Sequence, residues 1–229
     1  MGSISFKPIF PTPFGYANFG EYGRQLNQQL IKDIDEHMSE NISRDRTFAK
    51  NESAWQSDHF MEDHYDSFRQ LGTLIDETSK PILKHAGLRD DYLPHVKTEH
   101  LWANVIFDVG GYSRPHHHGS GRTIWSGVYY PKGMEEVDNL DEFEEPDYIK
   151  LGFQKGDGLL ICFDPAKVTK GLIKTGMDTG EFWGQDVTII PRESLLVLFP
   201  VWMPHMVTPL TKKQKRYSIS FAINCQYAE

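Results

Sequence analysis

Three consecutive histidines, His116, His117 and His118, sit within the stretch Arg114-Pro115-His116-His117-His118-Gly119-Ser120-Gly121-Arg122. In an extended strand, residues i and i+2 project to one side. His116 and His118 can therefore aim at a common point while His117 faces away. Two converging imidazoles suit a borderline divalent cation such as iron(II) or zinc. A working site needs a third ligand, and His205, which follows Pro204 beside a strongly apolar stretch, is the best placed. An apolar shell of that kind limits water access and tunes a bound metal. Farther on, Arg216 and Ser218 share one face of a strand-like segment. An arginine fork binds a carboxylate bidentately, and a neighbouring hydroxyl adds a donor. A charge-assisted hydrogen bond contributes roughly 1.5–3 kcal/mol, enough to orient a small diacid. The two poles together predict one metal on His116, His118 and His205, with one dicarboxylate anchored beside it by Arg216 and Ser218.

Each piece alone has a plainer reading. A histidine tripeptide can be a polar loop. A lone histidine on an apolar face is commonly a hydrogen-bonded core residue. Arg216 follows Lys212, Lys213 and Lys215 in what reads as a solvated basic turn. The combination is what points to chemistry. The other histidines, His37, His59, His64, His85, His95 and His100, show no ligand spacing and read as surface or satisfied residues.

The elements that must position these residues change character along the chain. Phe6 to Phe14, with Pro8, Pro11 and Pro13, reads as an extended segment or edge strand. Tyr22, Leu26, Leu30, Ile34 and Met38 recur every four residues and predict a helix with one apolar stripe. Asn41 to Ser57 reads as a polar loop. A second helix starts near Met61, with Phe68, Leu71, Leu74 and Ile75 on one face. Ser79-Lys80-Pro81 interrupts it and opens a third, which Gly87 ends. After Pro94 the pattern becomes strand-like. Leu101, Ala103, Val105 and Phe107 alternate with Trp102, Asn104 and Ile106, and about eight short strands follow, separated by turn residues. The fold expected is mainly β with flanking N-terminal helices, a jelly roll in a single domain spanning 1–229, with a helical flank over 1–95 and the β core over 96–229. The acidic stretch 135–147 and the Gly-rich loop 169–186 are candidates for a lid over the barrel mouth.

A distal histidine, ten intervening residues and Arg-x-Ser, preceded by a His-x-His pair, resembles the pattern of iron(II)/2-oxoglutarate oxygenases. Nearly the whole chain resembles an oxygenase family of this kind found in marine bacteria and cyanobacterial viruses. The residues that carry the likeness are Ile9-Phe10-Pro11-Thr12-Pro13, Trp102-Ala103-Asn104-Val105, His116-x-His118, Ser126-Gly127-Val128-Tyr129-Tyr130, Leu198-Phe199-Pro200, His205 and Arg216-x-Ser218-Ile219-Ser220-Phe221. The resemblance implies a double-stranded β-helix (cupin-like jelly roll), with Fe(II), 2-oxoglutarate as co-substrate and O2. Gly111 to Tyr130 also resembles prolyl hydroxylases, which implies Tyr130 as first choice and Tyr129 as second for contact with 2-oxoglutarate. The chain departs from most such oxygenases at His118, where they place Asp or Glu; the family it most resembles also carries His-x-His. Asp108 is a conceivable supplementary carboxylate.

Composition narrows the classes. The chain has 229 residues, is 39% hydrophobic and 13% aromatic, and carries a net charge of -8. It is long enough to bury a sizeable core, and the charge disfavours non-specific nucleic-acid binding. Met1 to Phe14 lacks the apolar core of a signal peptide, and Pro200, Pro204 and Pro209 break the longest apolar run, so no membrane partner is expected. Cys162 and Cys225 stand apart and read as reduced thiols in a cytoplasmic protein. The leading expectation is an oxygenase that hydroxylates a small-molecule or peptide substrate. The alternatives are a three-histidine metal enzyme of cupin type that does not use 2-oxoglutarate, and a catalytically silent jelly-roll binding protein.

Overall fold

The computed structural model describes residues 12–41, 53–118, 123–134, 149–151, 156–165 and 186–225. The acidic stretch 135–147, nearly all of the 169–186 loop and the chain before residue 12 lie outside them. In chain order the elements are β1 (Gly15–Asn18), α1 (Gly20–Glu40), β2 (Ala54–Gln56), α2 (Met61–His64), α3 (Asp66–His85), a 3-10 turn (Leu93–His95), β3 (Val96–Ile106), β4 (Ser113–His116), β5 (Thr123–Tyr130), β6 (Ile149–Leu151), β7 (Leu160–Cys162), β8 (Val187–Ile189), β9 (Leu195–Pro200), β10 (His205–Val207) and β11 (Arg216–Cys225).

The helices form where periodicity predicts, except that extended Tyr65 splits the helix expected from near Met61 into α2 and α3, and with two further differences. In α1 the buried face is Gly23, Asn27, Leu30, Asp33, Ile34 and His37, while Tyr22 is 71% exposed. A strict four-residue spacing drifts by about 40° per step around an α-helix, so the apolar stripe cannot stay on one face. The polar members of the buried face are satisfied internally: Asn27 donates to Ser194 Oγ at 2.9 Å and accepts from the Tyr129 hydroxyl at 2.7 Å. The second difference is that α3 runs unbroken through Pro81 to His85. Ser79 does not start a new helix; it is buried and donates back to Asp76 O at 3.2 Å. Packing of Phe68, Leu71, Ile75 and Leu83 on the sheet outweighs the donor lost at proline. Gly87, at φ +101, ends the helix with its N–H on Lys84 O and the Leu88 N–H on Leu83 O.

The strands form two antiparallel sheets. One has the order β1-β9-β5-β11-β3-β2 and the other β4-β10-β7-β8-β6. Both edge strands of the larger sheet come from the first 95 residues, read from sequence as helical flank and loop. Ala54–Gln56, inside the expected loop, pairs with Asn104–Ile106 of β3. Strand alternation then makes two apolar layers. Leu101, Ala103 and Val105 of β3, Leu196 and Leu198 of β9, and Ile219, Phe221 and Ile223 of β11 pack under α1 and α3. Val128, Tyr130, Leu195, Val197 and Phe199 face the second sheet, where Leu160, Cys162, Ile189 and Val207 meet them. Each such fully buried apolar side chain contributes about 1.5–3 kcal/mol. Cys162 and Cys225 are free thiols. Among the described residues no helix is long and apolar enough to cross a membrane.

Candidate metal and dicarboxylate site

On the inner side of the smaller sheet, β4 and β10 lie side by side with His116 and His205 as direct register partners. Their ring centroids are 4.3 Å apart. His118 lies two residues past the end of β4, where its N–H bonds Val201 O at 3.1 Å. It is therefore not on a strand, yet its ring returns to the same point. His118 Nε2 stands 3.2 Å from His205 Nε2, and donor nitrogens of all three rings lie within 4.8 Å of one another. Two donors each about 2.1 Å from one ion, meeting at a right angle, stand about 3 Å apart.

The hydrogen bonds around two of these rings fix which nitrogen is available. His116 Nδ1 is 2.8 Å from Arg114 O and His205 Nδ1 is 3.0 Å from Met203 O. A carbonyl only accepts, so each Nδ1 carries the proton and each Nε2 keeps its lone pair. Burial lowers the pKa of His116, brings His118 down to about 4 and holds His205 well below the usual imidazole value. All three are neutral at neutral pH, the state a cation requires. The donor set thus fits a borderline divalent metal. Asp108 does not join it: its carboxylate accepts from the Val109 N–H at 2.8 Å, outside the three-histidine group.

Arg216 opens β11 and points into the space between the sheets, only 3% exposed. Its Nε donates to Gly158 O at 2.7 Å, Nη1 to Ser218 Oγ at 2.9 Å and Nη2 to the Tyr130 hydroxyl at 3.4 Å. Gly158, at φ +63, brings its carbonyl this close because a Cβ there would meet Arg216 Cδ at 3.0 Å. Burial pulls the guanidinium pKa down. Among the described residues no carboxylate pairs with it. The preceding lysines of the basic turn, by contrast, are exposed.

The three-histidine cluster, Arg216 and Ser218 line one cavity of about 290 Å³. Tyr130 does not line it and reaches it only through Arg216. Tyr129 faces the other way, bonded to Asn27 of α1, so the second-choice tyrosine belongs to the helix side of the sheet. His117, expected to turn away, is exposed and lines the cavity mouth. Sequence reasoning missed Gln56, His59, Trp102, Asn104 and Ser220, which also line the cavity. A signal existed for three of them: Trp102 and Asn104 alternate with an apolar face, and Ser220 continues the two-residue period of Arg216 and Ser218. Gln56 was hidden by a short edge strand, and His59 by a loop whose course no local pattern gives.

Comparison with known proteins gives a family and a fold. A family model described as "Putative 2OG-Fe(II) oxygenase" matches residues 100–222, more than half of the chain. No curated protein sequence matches. Among solved structures, a prolyl-4-hydroxylase from Pseudomonas putida is 16% identical, with a TM-score of 0.55 and 94% of each chain covered. A prolyl hydroxylase from Trichoplax adhaerens, in complex with a hypoxia inducible factor peptide fragment, is 15% identical, with a TM-score of 0.55, 93% of this chain and 84% of that one. The epimerase SnoN of nogalamycin biosynthesis, in complex with Fe3+ and alpha ketoglutarate, is 11% identical, with a TM-score of 0.60, 93% of this chain and 79% of that one. At these identities the likeness is one of fold, the double-stranded β-helix. With the matched family model it leads to one conclusion: the chain belongs to the 2-oxoglutarate/iron(II) oxygenase family, oxidoreductases that use Fe(II), 2-oxoglutarate and O2.

Proposed function

We propose that His116, His118 and His205 hold the iron and that Arg216 and Ser218 anchor the distal carboxylate of 2-oxoglutarate. The observation that carries this reading is Arg216, a buried guanidinium held by three neutral acceptors and by no carboxylate among the described residues. A buried charge is costly without a counter-ion. A ligand carboxylate at this end of the cavity supplies one, while the opposite end of the same ligand reaches towards the three histidines. The family match favours this reading over a three-histidine enzyme without 2-oxoglutarate.

The chain's own residues bind, orient and exclude water. Arg216 gives charge-assisted hydrogen bonds, and Tyr130 with Gly158 O holds the guanidinium so that little freedom is lost on binding. Burial raises the Tyr130 pKa to about 12, so the hydroxyl stays neutral and adds no competing charge. Val128, Leu160 and Val207 give the cavity apolar walls. The bound iron supplies the oxidising chemistry, in which 2-oxoglutarate and O2 become succinate and CO2 and one oxygen atom goes to the substrate. We assign the reaction class as hydroxylation of a small molecule or peptide. Two free thiols support a cytoplasmic location. The test is succinate formation from 2-oxoglutarate with iron(II): it is expected in the native protein and lost in both His205→Ala and Arg216→Ala. Retention of turnover in either variant overturns the assignment.

A further inference from the structure

The three histidines are not held alike. His116 and His205 each have a ring orientation fixed by an Nδ1–H bond to a backbone carbonyl, at Arg114 and at Met203. His118 has no such bond among the described residues; its hydrogen-bond contact is the one through Nε2 to His205. What meets its ring instead is Trp102, at 5.6 Å between centroids and 62°, an edge contact. On Trp102 in turn lies the His59 ring, 4.7 Å away and nearly parallel at 11°. Trp102 is 6% exposed, and His59 covers it from the solvent side.

This pair is itself clamped. The Ser57 N–H bonds Ala103 O at 3.0 Å, and Ser57 Oγ accepts the Ala103 N–H at 2.9 Å. The Glu62 carboxylate accepts the N–H groups of His100 at 3.0 Å and Leu101 at 3.1 Å. Residues on both sides of Trp102 are thus tied to the segment that carries His59. That segment cannot slide along β3 without breaking four hydrogen bonds.

We propose that Trp102, backed by His59, is a positioning residue for the metal, fixing the His118 ring plane where carbonyls fix the other two. The inference rests on the three-histidine reading above. A carboxylate presents either of two equivalent oxygens and tolerates rotation. An imidazole presents one lone pair in the plane of its ring, so an imidazole at position 118 needs its plane held. An edge-to-face contact with a large, immobile indole does that.

The test is a double-mutant cycle read by titration of the full-length protein with cobalt(II), an optical probe of ligand geometry, without substrate or turnover. Trp102→Leu is expected to weaken cobalt(II) binding 10- to 100-fold, the usual cost of removing a group that orients a metal ligand. Trp102→Phe, which keeps an aromatic edge, is expected to restore most of that loss, and His59→Ala to give a smaller loss. In a His118→Asp background the Trp102→Leu loss should shrink to about threefold or less, because the coupled partner is gone. Equal losses in both backgrounds, or none in the native background, overturn the proposal while leaving the three-histidine site intact. Where Trp102→Leu fails to fold, His59→Ala is carried through the same cycle and decides by the same criterion. Absence of cobalt(II) binding by the native protein is a distinct result, and it overturns the three-histidine reading together with this one.

Discussion

The two faces of β11 differ in kind, though their residues alternate one by one. Tyr217, Ile219, Phe221 and Ile223 lie in the apolar layer under the helices. Arg216, Ser218 and Ser220 line the cavity. The first face is satisfied by the chain itself. The second holds a buried cation and two hydroxyls. On the proposed function, stability and ligand binding are separated by a half-period of a single strand, and substitutions one residue apart should affect different quantities.

Phe221→Ala should give the largest effect. Phe221 is fully buried, and its truncation is expected to remove about 3–5 kcal/mol of unfolding free energy in a denaturant titration. Arg216→Ala should do the reverse. Loss of two charge-assisted bonds weakens 2-oxoglutarate binding by on the order of 10²- to 10³-fold in calorimetry. The unliganded variant should be as stable as the native protein or more so, because an unpaired buried charge has gone. Comparable destabilisation in both variants would erase the distinction between the faces.

Acid should act through the cavity side. Burial holds His118 at about 4, against the usual imidazole value of about 6.5. Between those values the unfolded chain binds a proton that the folded chain does not, so folding stability falls as pH drops from about 6.5 to about 4. For His118 alone this amounts to roughly 3 kcal/mol, with His116 and His205 acting in the same direction. Thermal denaturation of metal-free protein across that range checks it; a flat profile contradicts neutral burial of the cluster. The smallest effects separate the adjacent tyrosines. Tyr130→Phe should weaken 2-oxoglutarate binding several-fold, about 1 kcal/mol, by loosening Arg216. Tyr129→Phe should instead lower stability by about 1–3 kcal/mol, leaving the buried Asn27 carbonyl unpaired.

Much of this was legible in the sequence, because residue type and period determine it. His116, His118, His205, Arg216 and Ser218 were found from donor chemistry and two-residue spacing, and all five line one cavity. The β character and the alternation of β3 followed from the same period. What escaped depends on tertiary placement. The two edge strands are short and gain their identity from partners far along the chain, Leu195–Leu198 for β1 and Asn104–Ile106 for β2. The continuity of α3 through Pro81 comes from packing that local propensity does not contain. His59 gained a role only when two clamps set its loop against Trp102. The tyrosine order could be argued only by likeness, and it is strand alternation in three dimensions that separates Tyr130 from Tyr129.

The place of β11 in the sheet has a consequence for how the chain acquires its structure. It comes last among the described strands, yet it lies between β3 and β5 in the middle of the larger sheet. A chain emerging vectorially, at about 5–20 residues per second, exposes both of those neighbours with unpaired edges until residues 216–225 appear. The sheet cannot close by growth from one side; it waits for an insertion at its centre. Contacts of such long sequence separation slow folding. Synthesis halted before Arg216 should therefore leave a chain prone to aggregation and open to proteolysis.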